Sequence, residues 1–130
     1  MIKRLLLIDD DPDELEILLE VVGKLKISCT CIWAASAEEG IKLLENSKPD
    51  LILLDINMPR HNGWDCLTIL KEKKMIEKIP VVMYSNGIDP GLVFKAKSLG
   101  AADALAKSFE SKELVILLNR MLGPDGNEMN

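Results

Sequence analysis

Short apolar runs recur along this chain, and between them lie segments whose apolar residues fall at helical spacing. No other feature constrains the fold as much. The runs are Lys3 to Ile8, Ser28 to Ala34, Leu51 to Leu54, Val81 to Tyr84 and Ala101 to Ala106. Three of them are continuously hydrophobic rather than alternating, as parallel strands covered on both faces should be. The last is weak in β-branched residues and takes its place from its context.

The intervening segments carry apolar stripes. Leu15, Leu18, Leu19, Val22 and Leu25 form the first; Ala37, Gly40, Ile41 and Leu44 the second; Trp64, Leu67 and Leu70 the third. Leu92, Ala96 and Leu99 make the fourth, and Leu114, Leu117, Leu118 and Met121 the fifth. Five βα units joined by right-handed crossovers predict a three-layer α/β sandwich with a parallel sheet between helices. The 130 residues fit one domain, expected over residues 1–122, with a polar, Gly-rich tail at 123–130.

Composition narrows the function. Lys and Arg total 16 against 21 Asp and Glu, a net charge of -5, which disfavours a grip on nucleic acid phosphates. No signal peptide is expected, and no apolar run approaches the roughly 18 residues of a membrane span, so the chain reads as cytoplasmic. Cys29, Cys31 and Cys66 make neither a disulfide framework nor a zinc site, and are expected to be core thiols.

Ligands of an open parallel sheet bind beyond the carboxyl ends of its strands. Here those ends carry Asp9-Asp10-Asp11, Asp55, Ser85-Asn86 and Lys107. Asp11-Pro12-Asp13-Glu14 reads as a helix start, with Asp11 as N-cap and Glu14 closing a capping box. Asp9 and Asp10 have no such use, and with Asp55 they would crowd three carboxylates together. At 4 Å a like-charged pair costs about 4 kcal/mol at an effective dielectric of 20, so the cluster calls for raised pKa values or a cation. Mg²⁺ fits best, with a solvated acidic rim as the alternative. Together with a hydroxyl and a lysine, the rim suggests phosphoryl transfer to Asp55.

The stretches "LLLIDDDP", "PDLILLDINMPRHNGWD", "IPVVMYS" and "LGAADALAKSF" resemble the receiver domain of bacterial two-component response regulators, from Ile2 to about Leu122. The resemblance implies a flavodoxin-like (βα)5 fold with strand order 2-1-3-4-5. It implies Asp55 as phosphoacceptor, Asp10 as direct metal ligand, Asp9 as its water-mediated partner and Asn57 as a ligand through its backbone carbonyl. It further implies Ser85 as the hydroxyl that moves to the phosphoryl group, Lys107 as its ion-pair partner, and Mg²⁺, with Mn²⁺ as an alternative, as cofactor. The donor would be a histidine kinase or histidine phosphotransfer protein. The chain would then be a phosphoacceptor catalysing its own transfer and dephosphorylation, not a turnover enzyme. It would signal by protein contact to a downstream protein as a monomer or weak homodimer.

Three positions depart from the family pattern. Ser108 stands where a proline follows the lysine, and a cis bond there would cost about 2.5 to 4 kcal/mol, so a trans Lys107–Ser108 peptide is expected. Ala104 replaces the aromatic of the usual switch, which shifts attention to Phe94 on the fourth helix as a partner surface. Asn86 replaces a small residue beside the phosphoryl site. Ile17 is a candidate kinase contact on the first helix, and His61 an exposed loop residue. Two other functions remain: a pseudo-receiver that binds partners without phosphorylation, and an aspartate-nucleophile phosphatase. For the latter the acid expected two residues after the nucleophile is here Asn57.

Overall fold

A computed structural model describes residues 2–87, 89–107 and 112–123. Among them five strands alternate with five helices: β1 Lys3–Ile8, α1 Pro12–Gly23, β2 Cys29–Ala34, α2 Ala37–Asn46, β3 Leu51–Asp55, α3 Gly63–Glu72, β4 Val81–Ser85, α4 Pro90–Ser98, β5 Asp103–Ala106 and α5 Lys112–Leu122. The strands are parallel in the order β2-β1-β3-β4-β5. No helix among the described residues is long and apolar enough to cross a membrane.

Side chains alternate across a strand, so each apolar run feeds two cores. On one face Leu6, Ile8, Ile52, Leu54, Val81 and Met83 pack with Ala37 and Leu44 of α2, Leu67 and Leu70 of α3, and Ala96 of α4. On the other, Leu5, Leu7, Leu51, Leu53, Val82 and Tyr84 pack with Leu18 and Val21 of α1 and Leu114, Leu117, Leu118 and Leu122 of α5. Burial of the central strands on both faces explains why they lack polar alternation.

Local sequence starts the first four helices. Asp11, Ser36, Asn62 and Asp89 are N-caps whose side chains accept from Asp13, Glu39, Asp65 and Leu92 N–H. Such caps satisfy donors that the first turn leaves open, each contributing about 1 kcal/mol. The capping box expected at Glu14 does not form, because Asp11 N–H donates instead to Asp9 Oδ1 at 2.9 Å.

Two faces differ from expectation. In α1 Val21 is buried and Leu19 is 52% exposed, the helix being turned so that Leu18 and Val21 lead the inward stripe. Cys29 and Cys31 share a face as expected but are half-buried, since β2 is an edge strand; only Cys66 is a fully buried thiol. Helix α4 buries one side chain, Ala96, whereas α5 buries four. Lys95 of α4 lies over the Trp64 ring of α3, 4.4 Å from its centroid. The Lys107–Ser108 peptide and the tail beyond residue 123 lie outside the described residues.

Candidate functional site

The alternation that builds the cores also builds the site. Ile8 pairs with Leu54, and Asp55 with Tyr84, so the residues just beyond are level with one another. Asp9, Asp55, Tyr84 and Lys107 continue the parity of Leu7, Leu53, Val82 and Leu105, the side that faces α1 and α5. They therefore converge at the carboxyl rim of one face.

Asp9 is 0% exposed and Asp55 2%. The Lys107 ammonium lies 2.9 Å from Asp9 Oδ2 and 3.3 Å from Asp55 Oδ1. Asn57 N–H donates to the same Asp55 oxygen at 3.1 Å, so both contacts fall on Oδ1. Asp10 is exposed, and one carboxylate oxygen each from Asp9, Asp10 and Asp55 lie within 4.8 Å of one another. A cleft of about 440 Å³ opens above them, lined also by Glu14, Asn57 and Asn86.

Burial pushes the Asp9 carboxyl up to about 6, with the Asp55 charge adding, against the Asp11 N–H and Lys107. Burial pulls the Lys107 ammonium down, but the hydrogen bond and charge of Asp9, with the charges of Asp55 and Glu14, outweigh it and leave it raised. Burial likewise raises the Glu14 carboxyl, which Lys107 opposes. The Tyr84 ring lies under the same ammonium, 5.5 Å from centroid to nitrogen.

Three clustered oxygen ligands are the donor set of a hard divalent cation that keeps several waters. The buried Asp9 Oδ2 lacks a hydrogen bond of good geometry and has the Lys107 ammonium 2.9 Å away. That combination fits Mg²⁺ or Mn²⁺ held from the open side by Asp10 and Asp55.

The rim brings together Asp9, Asp10, Asp55, Asn57 and Lys107, as expected from the sequence. Ser85 is buried and tied to the rim by its carbonyl, which accepts Lys107 N–H at 2.6 Å. Its hydroxyl accepts from Gly87 N–H at 3.4 Å and does not line the cleft. Asn86 does line it. Ala104 is buried on the face of the sheet that packs against α4. Phe94 is 75% exposed, as expected. Ile17 is half-buried, so the exposed apolar side chain of α1 is Leu19 instead. His61 is exposed and meets Glu38 of α2 at 3.4 Å.

Three residues contribute beyond those the sequence points to. Glu14, a capping residue by its sequence, lines the cleft; Tyr84, a core residue by its strand position, also lies under the Lys107 ammonium. The Trp33 indole N–H donates to the Asp9 carbonyl at 2.8 Å. An aromatic one residue before the end of the strand beside Asp9 was the available signal.

Gly63 shapes the loop after β3. Its N–H donates to Ile56 O at 2.9 Å, and a Cβ there would strike the Asp55 carbonyl and lie 2.7 Å from Ile56 Cα. Only glycine lets α3 begin this close to the strand that carries Asp55.

Fold and rim together define a doubly wound α/β domain with a lysine-capped acidic cluster at its sheet end. The chain belongs to the response regulator receiver domain family, whose model matches residues 5–119. It is 35% identical over 116 residues to the nitrate/nitrite response regulator protein NarL of Escherichia coli (strain K12), covering 89% of this chain and 53% of NarL. It is 30% identical over 111 residues to the probable C4-dicarboxylate response regulator DctR of Bacillus subtilis (strain 168), covering 85% and 48%. The chain thus spans about half the length of these relatives. The fold matches the phosphorylated cyanobacterial phytochrome response regulator RcpA, with TM-score 0.81, 23% identity and 95% and 96% of the two chains covered. It also matches the Mn²⁺-bound form of response regulator Rcp1, with TM-score 0.76, 24% identity and coverage of 92% and 94%. The chain is a receiver domain of two-component signalling, a family of phosphoacceptor modules.

Proposed function

We propose that Asp55 accepts a phosphoryl group from a phosphohistidine on a histidine kinase or phosphotransfer protein. The convergence of Asp9, Asp10 and Asp55 under Lys107 carries this reading. Because Oδ1 of Asp55 is engaged by Asn57 N–H and Lys107, Oδ2 is the attacking oxygen. The P–N bond breaks as the O–P bond forms, and the electron pair leaves on the imidazole nitrogen.

Asp10 and Asp55, the Asn57 carbonyl and a water on Asp9 would hold Mg²⁺ or Mn²⁺, which when bound neutralises carboxylate and phosphoryl oxygens. Lys107 supplies fixed positive charge on the opposite side, within reach of the transferred group. Ser85 turns its hydroxyl from Gly87 N–H toward the phosphoryl oxygens, taking the loop before α4 with it. Water attacking phosphorus later breaks the O–P bond and returns the carboxylate.

The added charge of about -1.5 to -2 biases the β4–α4 loop and the α4 surface around Phe94, where a downstream protein docks. With Ala104 at the switch position, rotation of an aromatic on β5 is replaced by displacement of α4 itself.

The test is intact mass after incubation with Mg²⁺ and acetyl phosphate. One phosphoryl adduct, blocked by EDTA and absent from Asp55→Asn, is expected. No adduct from acetyl phosphate or from a histidine donor would make the domain a pseudo-receiver. Turnover of varied phosphate esters would make it a phosphatase.

A further inference from the structure

The β1–β2 rungs climb from Lys3 N–H on Ser28 O, at 2.9 Å, to Asp9 N–H on Ala34 O, at 3.0 Å. In a parallel ladder the N–H and carbonyl of one residue bond the two residues flanking its partner, so the donor due next at the Asp9 carbonyl is the N–H of residue 36. At Ser36, however, the chain has turned to cap α2. The Trp33 indole takes that place, donating from Nε1 to the Asp9 carbonyl at 2.8 Å.

That carbonyl belongs to the peptide that carries Asp10. A peptide is planar, so fixing the carbonyl direction fixes the plane from which Asp10 departs. The Asp9 side chain has anchors of its own in Asp11 N–H and Lys107, both at 2.9 Å. Asp10 is exposed, and its heading is set through its backbone. Trp33 lies on the edge strand, 37% exposed, beside an open groove of about 460 Å³ shared with Lys42 and Leu43. Its ring adds little to the core; the bond to Asp9 is what a smaller side chain could not supply.

We infer that Trp33 is a positioning residue for the cation site, its indole N–H orienting the Asp9–Asp10 peptide so that Asp10 faces Asp55 before the ion arrives. This rests on the reading that Asp10 and Asp55 hold a divalent cation.

Calorimetric titration with Mg²⁺ alone tests it on wild type, Trp33→Phe, Leu43→Ala and Asp10→Asn. Trp33→Phe should raise Kd about threefold to tenfold, the range one net hydrogen bond supplies, without changing stoichiometry. Leu43→Ala, which alters the same groove without touching the bond, should lower Tm and leave Kd within about twofold. Wild-type affinity in Trp33→Phe, or an equal loss in Leu43→Ala, overturns the inference. If the wild type and Asp10→Asn alike fail to bind Mg²⁺, the cation reading falls and this one with it, a pattern distinct from both. Should Trp33→Phe not fold, the indole N–H resonance of Trp33 in the Trp64→Phe protein decides: it should shift with the Mg²⁺ midpoint, and an unmoved resonance overturns the assignment.

Discussion

Lys107 stands closer to Asp9, at 2.9 Å, than to Asp55, at 3.3 Å. The lysine thus neutralises first the more deeply buried carboxylate, and its hold on the strand-end aspartate is the looser one. Replacing Lys107 with Met should leave the Asp9 charge buried and unpaired, costing about 3 kcal/mol. Mg²⁺ should recover part of that loss, because the ion supplies the missing positive charge and binds only the folded chain. Urea unfolding with and without Mg²⁺ measures both, and a deficit unmoved by the ion would contradict the shared neutralisation.

The Asp9 carboxyl sits at about 6 in the fold against an ordinary 3.8. Between those values the native state takes up a proton that the unfolded chain does not, so acidification through the window favours folding, by up to about 3 kcal/mol for this group. Asp9→Asn has no such proton to gain. In metal-free buffer the stability difference between wild type and Asp9→Asn should therefore shift toward wild type from pH 7 to pH 4. A difference flat with pH refutes the shift.

Tyr84 supports the Lys107 ammonium with its ring face, 5.5 Å away. Tyr84→Phe keeps that face and should change stability by less than about 0.5 kcal/mol. Tyr84→Leu loses both the face and ring volume, and should cost about 2 kcal/mol or more with a several-fold slower phosphorylation. Equal rates in the two variants would show that the ring does not position the lysine.

Gly63→Ala introduces a Cβ against the Asp55 carbonyl. The clash is with backbone and cannot be relieved by a rotamer change, so a loss of about 2 kcal/mol or more is expected. Displacement of Asp55 should slow its phosphorylation as well. Denaturation and phosphorylation kinetics on the same sample separate the two effects.

Phe94→Ala removes an exposed ring and should alter stability by less than about 0.5 kcal/mol. Binding of the downstream protein by the phosphorylated chain should nevertheless weaken. Unchanged partner binding and self-association, in both phosphorylation states, would remove Phe94 from the docking surface.

How far these features can be read before folding depends on the range of the interactions that fix them. Leu51 to Leu54 announce a buried strand because both faces need apolar side chains, and Asp55 follows as its last residue. The acidic cluster and Lys107 are legible because parallel strands put all their carboxyl ends on one rim. Asp11 is legible as a cap, since capping is local, but the fate of Glu14 turned on whether Asp9, outside the helix, would claim the Asp11 N–H. Leu19 and Val21 are one-third of a turn apart from equally apolar alternatives, and only packing against β1 and α5 chooses between them. Trp33 reaches Asp9 across 24 positions, a contact created by the β1–β2 pairing.

The single buried side chain of α4 sets a hierarchy of local opening across the shell. Amides in a helix held by the Ala96 methyl, the partly buried Leu92 and Val93 and one cation–π contact should exchange with solvent through excursions that leave the sheet intact, whereas those of α5, with four leucines inside, should wait on larger ones. Among the described helices α4 has the fewest buried side chains, so hydrogen exchange should find it opening first, and a charge added at the rim would act on the part of the shell that yields most readily.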